Sequence, residues 1–226
     1  MPETRAPLKV AVLISGRGSN LQALIDSFGP QIAGSPVRIV LVLSNRPEAL
    51  GLERAAKAGL KTEIVDHKAF QSREDFDVTM DREIRAAGAE FVVLAGFMRL
   101  LTAQFVTTWK DRLINIHPAL LPAFPGLNTH RRALEAGVRF HGATVHFVRN
   151  ETDTGPIIAQ SVVAVRPDDT EETLAARVLD SEHRLYPLAL RLIAEGQVRV
   201  EGERVIAGAQ TWYPENVLLN PMHLMA

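Results

Sequence analysis

Residues 9–28 read KVAVLISGRGSNLQALIDSF, and this stretch decides the predicted fold. An apolar run over residues 9–15 lacks the polar alternation of a half-exposed strand, and it leads directly into a glycine-rich loop. Beyond the loop, four apolar side chains recur on one helix face, at Leu21, Leu24, Ile25 and Phe28. A buried strand, a tight loop and an amphipathic helix in this order are typical of α/β proteins.

Strand and helix patterns continue to alternate through the first half of the chain. Further apolar runs predict strands at residues 37–44, 61–65, 91–95 and 113–117. The helical patterns between them stop at Gly59 and Gly88, and Ser72 can cap the helix that ends at Gly88. We therefore predict an α/β fold with a doubly wound, mostly parallel sheet.

The second half of the chain has a different pattern. Apolar runs at residues 142–148 and 157–165 lie too close together for a parallel crossover, which predicts an antiparallel hairpin at the edge of the sheet. Thr170 begins a helical pattern that extends to about residue 194, in which Pro187 predicts a kink or a break. A short hairpin over residues 198–206 turns at Gly202. We assign residues 1–207 to one domain and residues 208–226 to a surface tail.

Composition and charge exclude several classes of function. The 226 residues include 46% hydrophobic residues, no cysteine and a formal net charge of −1. Disulfides, thiolate nucleophiles and cysteine metal sites are therefore excluded, and nothing attracts nucleic acid. The N-terminal residues MPETRAP do not resemble a signal peptide, and no apolar run approaches the roughly 18 residues of a membrane span. We expect a cytoplasmic protein that binds neither membrane nor nucleic acid.

The loop after the first predicted strand is a candidate phosphate site. Its glycines, at Gly16 and Gly18, let the backbone come close to a ligand at the N-terminus of the next helix, which favours anions. A dinucleotide fingerprint would need a small residue at Leu21, and a nucleoside triphosphate loop would need Gly-Lys-Ser/Thr. We therefore favour a monophosphate, with a plain strand-to-helix turn as the alternative.

A second candidate site follows the predicted strand at residues 113–117. Asn115 and His117 are two residues apart and project from the same side of that strand, close to its carboxyl end. If Asp153 reached His117, its carboxylate would orient the ring and favour the imidazolium near neutral pH. The alternatives are a buried histidine of the core and an aspartate that only shapes a turn. No histidine has a paired metal-ligand spacing, so no metal is expected.

Four longer segments carry a more specific signal when they are taken together. They are LISGRGSNL at residues 13–21, LAGFMRL at 94–100, NIHPALLP at 115–122 and HGATVH at 141–146. In this combination the sequence, from about residue 9 to 196, resembles the phosphoribosylglycinamide formyltransferases, folate-dependent enzymes of purine synthesis. The wider folate formyltransferase group shares the Asn-x-His pair and a later aspartate, whereas the Gly-Ser-Asn loop resembles the glycinamide branch.

The resemblance implies a role for each group of site residues. The implied catalytic set is Asn115, His117 and Asp153. The ribonucleotide and its phosphate would contact Gly18, Ser19, Asn20 and Glu182. The formyl-folate would contact Arg73, Met98, Arg99, Leu100, Leu101 and Asn115, with residues 143–153 closing over its pterin. The N-terminal half of the domain would then bind phosphate, and the C-terminal half would hold the folate and the catalytic set.

The resemblance also implies the reaction. The amine of 5-phosphoribosylglycinamide would attack the formyl carbon of 10-formyltetrahydrofolate, which is a co-substrate, and Asn115 and protonated His117 would stabilise the oxyanion. One alternative is a 10-formyltetrahydrofolate hydrolase, which uses the same three residues but gives the formyl group to water. Another is a non-catalytic protein that binds a phosphorylated metabolite. We expect small-molecule substrates as the only partners, and a monomer or a homodimer.

Overall fold

The structure is a computed structural model in which residues 6–208 and 220 are described. A sheet of seven strands crosses the molecule in the order β3-β2-β1-β4-β5-β6-β7. Its strands are β1 (Leu8–Ile14), β2 (Val37–Ser44), β3 (Thr62–Ile64), β4 (Phe91–Leu94), β5 (Leu113–His117), β6 (Phe140–Phe147) and β7 (Ile157–Ala164). Strands β1 to β5 are parallel, β6 is antiparallel to β5, and β7 is antiparallel to β6. The predicted parallel sheet with an antiparallel edge is confirmed.

Helices cover both faces of this sheet. They are α1 (Ser19–Phe28), α2 (Leu50–Lys57), α3 (Arg73–Ala86), α4 (Ala103–Thr108), α5 (Thr129–Glu135) and α6 (Glu171–Ala194). Alternate residues of β1 belong to two separate cores: Val12 packs with residues of α1 and α6, and Leu13 packs with residues of α3 and α4. Because both faces of β1 are buried, its sequence is continuously apolar, and the doubly wound arrangement is confirmed.

The residues that were predicted to end helices and turns do so in the structure. The Ser72 hydroxyl accepts a hydrogen bond from the backbone N–H of Asp75, which caps α3. Gly88, just beyond the end of α3, has a positive φ of 72°, which suits glycine. A small second sheet contains β8 (Val198–Glu201) and β9 (Arg204–Ala207), with Gly202 at the turn between them. The predicted short hairpin is therefore confirmed.

Three details differ from the prediction or lie beyond it. Helix α6 runs through Pro187 without a break, because buried side chains on both sides of the proline, including Tyr186 and Leu190, hold it against the sheet. The short helices α4 and α5 were not predicted, since six or seven residues carry little periodic signal. The predicted tail at residues 208–226 lies outside the described residues except for Gly208 and Asn220.

The strand order indicates a ligand site at the carboxyl ends of the central strands. The chain order reverses between β1 and β4, which are hydrogen-bonded neighbours, and in open α/β sheets ligands bind beyond the carboxyl ends of strands at this point. The loop at residues 15–18 leaves β1 there, and the loop at residues 95–102 leaves β4 beside it. Because Leu94 is in register with Asn115, the end of β5 lies next to the loop that leaves β4.

Candidate active site

The loop after β1 exposes the N-terminus of α1 to a ligand. Gly18 occupies the N-cap position with a left-handed backbone, and within the described residues no side chain caps the helix. The first turn of α1 also contains no acidic residue, so its N–H groups and the positive end of the helix dipole are available to an anion. Ser19 and Asn20 occupy the first two helical positions. This geometry can bind a phosphate group.

A close packing of two glycines holds the loop in this shape. The backbone N–H of Gly51, in α2, donates to the carbonyl of Gly16 over 3.0 Å. A Cβ atom on Gly18 would lie 2.6 Å from the Cα atom of Gly51, which leaves no room for any side chain. The Arg54 side chain donates to the Arg17 carbonyl over 3.0 Å. The loop is therefore built on α2, a contact that the local sequence does not reveal.

Asn20 and Glu182 form a buried pair behind the loop. The Asn20 side-chain amide donates to a Glu182 carboxylate oxygen over 2.7 Å, and the two residues are 9% and 6% exposed. Burial raises the pKa of Glu182 to about 7, while the hydrogen bond from Asn20 lowers it in part. Within the described residues the Asn20 carbonyl oxygen is buried without a partner. The pair can therefore receive the hydroxyl or amine donors of a ligand whose phosphate lies at α1.

Asn115 is oriented by a histidine on the neighbouring strand. In the antiparallel pairing of β5 and β6, Asn115 lies opposite His146, and the Asn115 amide nitrogen is 3.5 Å from His146 Nε2. His146 Nδ1 lies 3.0 Å from the Phe147 carbonyl and 3.1 Å from the Thr154 carbonyl, so Nδ1 carries the proton and Nε2 accepts. Burial lowers the pKa of His146 and keeps its ring neutral. The second amide proton of Asn115 remains available to a ligand.

His117 and Asp153 meet at the end of β5. His117 Nδ1 lies 3.4 Å from Asp153 Oδ1, and both side chains are largely buried. On the other side of the ring, His117 Nε2 lies 2.9 Å from the Phe124 carbonyl oxygen. The second carboxylate oxygen of Asp153 accepts a hydrogen bond from the backbone N–H of Gly126 over 2.7 Å. Both ring nitrogens of His117 therefore face oxygen acceptors, which hold the ring in one orientation.

Two further histidines lie in the same region and stay neutral. Burial lowers the pKa of His141 to about 4, and burial likewise lowers the pKa of His130. The two rings pack edge to face with centroids 5.3 Å apart, and the His141 ring also contacts the Phe124 ring. Since neither ring is charged near neutral pH, no neighbouring imidazolium opposes a positive charge on His117.

The loop after β4 is linked to the loop after β1 by one hydroxyl group. Ser15 Oγ accepts from the backbone N–H of Met98 over 2.8 Å and donates to the Asn45 side chain over 2.6 Å. The side chains of Met98 and Leu100 are 64% exposed, although both are large and apolar. Large apolar side chains that stay exposed on a loop are typical of a surface that binds a ligand.

Arg73 lies at the start of α3, one turn before a residue that holds the same loop. The buried carboxylate of Asp77 accepts from the backbone N–H of Thr102 over 2.6 Å, which ties the end of the loop to α3. Burial raises the pKa of Asp77, and the Arg73 charge lowers it in part. Arg73 itself is exposed, so its guanidinium is available to a carboxylate of a ligand.

The structure thus brings most of the predicted site residues to the carboxyl ends of the central strands. Asn115, His117 and Asp153 lie together, and Asn20 meets Glu182 although α1 and α6 are far apart in sequence. The contact of His146 with the Asn115 amide was not predicted from the sequence. The spacing of Thr144 and His146, two residues apart on β6, could have predicted this contact. A strand paired with β5 places every second side chain beside Asn115 or His117.

The described part of the chain contains neither a metal-binding cluster nor a membrane-spanning helix. Among residues 6–208 and 220, no group of three or more His, Cys, Asp or Glu side chains could hold a metal ion. Over the same residues, none of the helices is both long enough and apolar enough to cross a membrane.

Comparison with known proteins identifies the family. A model of the formyl transferase family matches residues 8–190. The phosphoribosylglycinamide formyltransferase of Escherichia coli (strain K12) is 47% identical over 193 residues, which are 85% of this chain and 90% of that protein. A crystal structure of glycinamide ribonucleotide transformylase 1 from Symbiobacterium toebii superposes with a TM-score of 0.84 at 45% identity, covering 89% of this chain and 94% of that one.

Some relatives are much longer. The trifunctional purine biosynthetic protein adenosine-3 of Drosophila pseudoobscura pseudoobscura is 53% identical over 191 residues, which are 84% of this chain but 14% of that protein. The chain spans between 14% and 20% of the length of the trifunctional relatives that it matches. The family model and the match to 90% of the bacterial enzyme lead to the same conclusion: the chain belongs to the formyl transferase family, where its relatives include phosphoribosylglycinamide formyltransferases.

Proposed function

We propose that this chain transfers the formyl group of 10-formyltetrahydrofolate to the amine of 5-phosphoribosylglycinamide, a step of purine synthesis. The observation that carries the proposal is the His117 ring, held between Asp153 and the Phe124 carbonyl and two residues from Asn115. His117 follows β5 at its carboxyl end, and the uncapped N-terminus of α1 follows the carboxyl end of the parallel strand β1. A phosphate site and a set of oxyanion donors at one edge suit transfer to a phosphorylated acceptor.

The ribonucleotide would bind along the loop after β1. Its phosphate would accept hydrogen bonds from the N–H groups at Gly18, Ser19 and Asn20, where the dipole of α1 favours negative charge. The ionised carboxylate of Glu182 would accept hydrogen bonds from the polar groups of the ribonucleotide, with Asn20 holding the carboxylate in place. The hydrogen bond from the Asn20 amide supports this placement, because it links the carboxylate to the first turn of α1.

The formyl-folate would bind where the loop after β4 meets the end of β5. Its planar ring would pack against the exposed apolar side chains of this loop, and its carboxylates would reach Arg73. The residues that would contact it are Arg73, Met98, Arg99, Leu100, Leu101 and Asn115. The hydrogen bond from Met98 N–H to Ser15 Oγ supports a common position for the two substrate loops.

The reaction needs no nucleophile from the protein. The substrate amine forms a bond to the formyl carbon, and the resulting oxyanion accepts a hydrogen bond from the Asn115 amide and is stabilised by the positive charge of the protonated His117 ring. Asp153 keeps the ring charged and oriented. As the bond from carbon to the folate nitrogen breaks, a water molecule near Asp153 carries the proton from the amine to that leaving nitrogen.

One assay separates this proposal from its alternatives. The protein is mixed with 10-formyltetrahydrofolate, with and without 5-phosphoribosylglycinamide, and the folate absorbance is followed. A change that requires the ribonucleotide supports transfer, and an equal change without it indicates a hydrolase. Ribonucleotide binding with no absorbance change indicates a non-catalytic binding protein.

The cytoplasmic location and the monomeric or homodimeric state expected from the sequence belong to the same proposal.

A further inference from the structure

One arginine lies on the far side of the segment that contacts the candidate catalytic pair. This segment, residues 124–127, follows the Pro-rich turn after β5 and is called the strap below. Two of its backbone groups face the pair: the Phe124 carbonyl accepts from His117, and the Gly126 N–H donates to Asp153. The strap therefore touches both members of the pair through its main chain.

The other two residues of the strap face Arg132, in α5. An Arg132 guanidinium nitrogen lies 2.5 Å from the Pro125 carbonyl oxygen and 3.4 Å from the Leu127 carbonyl oxygen. The guanidinium carbon also lies 5.7 Å from the centroid of the Phe124 ring, which is a cation–π distance. Along the strap, main-chain groups of Phe124 and Gly126 thus contact the catalytic pair, and the carbonyl groups of Pro125 and Leu127 contact Arg132.

We propose that Arg132 is a positioning residue for the reaction, acting through the strap on His117 and Asp153. The inference rests on the proposed function, since it assumes that this pair stabilises the oxyanion. A planar guanidinium can donate to two carbonyl groups and contact an aromatic ring at once, and this holds an irregular backbone segment in one conformation. One strap residue in particular needs such support, because Phe124 has a positive φ of 55°, a conformation that residues with a Cβ atom rarely adopt.

The expected consequence is a loss of turnover rather than of substrate binding. Without Arg132 the Phe124 carbonyl and the Gly126 N–H are free to shift, and both contacts of the pair become longer. None of the contacts that Arg132 makes to the strap lies on α1 or on Glu182, so the ribonucleotide site keeps its geometry. Small displacements of catalytic groups reduce the rate of the chemical step while leaving ground-state binding unchanged.

The neighbouring arginine supplies a matched control. Arg131 lies on the same helix, carries the same charge and pairs with Glu171 at the surface over 3.0 Å, away from the strap. Arg131→Gln removes one positive charge from α5 and leaves the strap contacts intact. Arg132→Lys retains the charge, but it lacks the planar guanidinium that contacts the Phe124 ring while one of its nitrogens donates to the two carbonyl groups.

The test compares turnover and KM in four variants: Arg132→Gln, Arg132→Lys, Arg131→Gln and His117→Ala. For Arg132→Gln we expect kcat to fall about tenfold with the KM for ribonucleotide changed less than about twofold, and for Arg132→Lys an intermediate kcat.

A second measurement does not depend on activity. Amide hydrogen exchange at Gly126 should be at least about tenfold faster in Arg132→Gln than in Arg131→Gln, while exchange in the central strands is equal. Equal kcat values for Arg132→Gln and Arg131→Gln, together with an inactive His117→Ala, would overturn the role of Arg132. Full transfer activity in His117→Ala would instead overturn the proposed function, and this inference with it.

Discussion

Replacing Glu182 with glutamine should stabilise the fold above neutral pH and weaken the binding of the ribonucleotide. The Glu182 carboxyl is 6% exposed, and burial raises its pKa to about 7. Glutamine has nearly the same shape and can accept the same hydrogen bond from Asn20, but it carries no charge. The substitution therefore removes the cost of burying an ionised carboxylate and changes the packing very little.

The size of the effect follows from the pKa shift. A carboxyl group of this type ordinarily titrates at 4.5, so between pH 4.5 and about 7 the folded state holds a proton that the unfolded chain has released. The contribution of Glu182 to stability is therefore intact below pH 4.5 and is lost as the pH rises towards 7. At about 1.4 kcal/mol for each pKa unit, the loss approaches about 3 kcal/mol above neutral pH, of which about 2 kcal/mol develops between pH 5 and pH 8.

Urea denaturation followed by circular dichroism measures this difference. The unfolding free energies of parent and Glu182→Gln are compared at about pH 5 and about pH 8. The matched control is Glu172→Gln on the same helix, because Glu172 is fully exposed and its pKa is lowered by the Thr170 side chain. Glu172 stays ionised throughout this pH range, so its replacement should have an effect that is independent of pH.

The same variant reports on the ribonucleotide site. A hydrogen bond to a charged group contributes about 1.5 to 3 kcal/mol, so Glu182→Gln should raise the KM for ribonucleotide at least about tenfold at pH 8. In the parent this KM should rise as the pH falls below about 7, where Glu182 becomes protonated. The reasoning is refuted if Glu182→Gln has the same stability advantage at both pH values, or if it is less stable than the parent at pH 8.

Three further predictions concern other parts of the site. His117→Ala and Asp153→Asn should each lower kcat at least about 10²-fold, and the double variant should be slower by less than the product of the two losses. Gly18→Ala should lower the unfolding free energy by about 1 to 3 kcal/mol and raise the KM for ribonucleotide, because a Cβ atom would lie 2.6 Å from the neighbouring backbone at a φ of 70°. Tyr186→Phe, which removes hydrogen bonds to the carbonyls of β4 and β5, should cost about 1 to 3 kcal/mol in urea denaturation.

Each of these predictions has a result that contradicts it. Asp111→Asn is the control for Asp153→Asn, because both aspartates have a positive φ and Asp111 lies at the surface with Arg149. Similar kcat values in these two variants would contradict a role for Asp153. An unchanged KM for ribonucleotide in Gly18→Ala would place the phosphate elsewhere. Unchanged stability in Tyr186→Phe would mean that other donors satisfy both carbonyls.

The sequence by itself determined the layers of the fold. Continuous apolar runs identified β1, β2, β4 and β5, because strands buried on both faces have no polar alternation. The short spacing after residue 148 required an antiparallel edge, since a parallel crossover needs a longer connection. The position of Asn115 and His117 at the end of β5 was also predictable, because two residues at a spacing of two on one strand must share a side.

Tertiary structure alone decided which distant groups meet at that strand end. That Asp153 reaches His117 depends on the loop between β6 and β7 lying beside the strap, where the Asp153 carboxylate accepts from the Gly126 N–H, a main-chain donor that the sequence does not single out. The raised pKa of Glu182 comes from burial between α6 and α1, and a helical pattern gives only the face of a helix, not what covers it. The contacts of Arg132 could not be predicted from the sequence, because its partners are main-chain carbonyl groups and every residue has one.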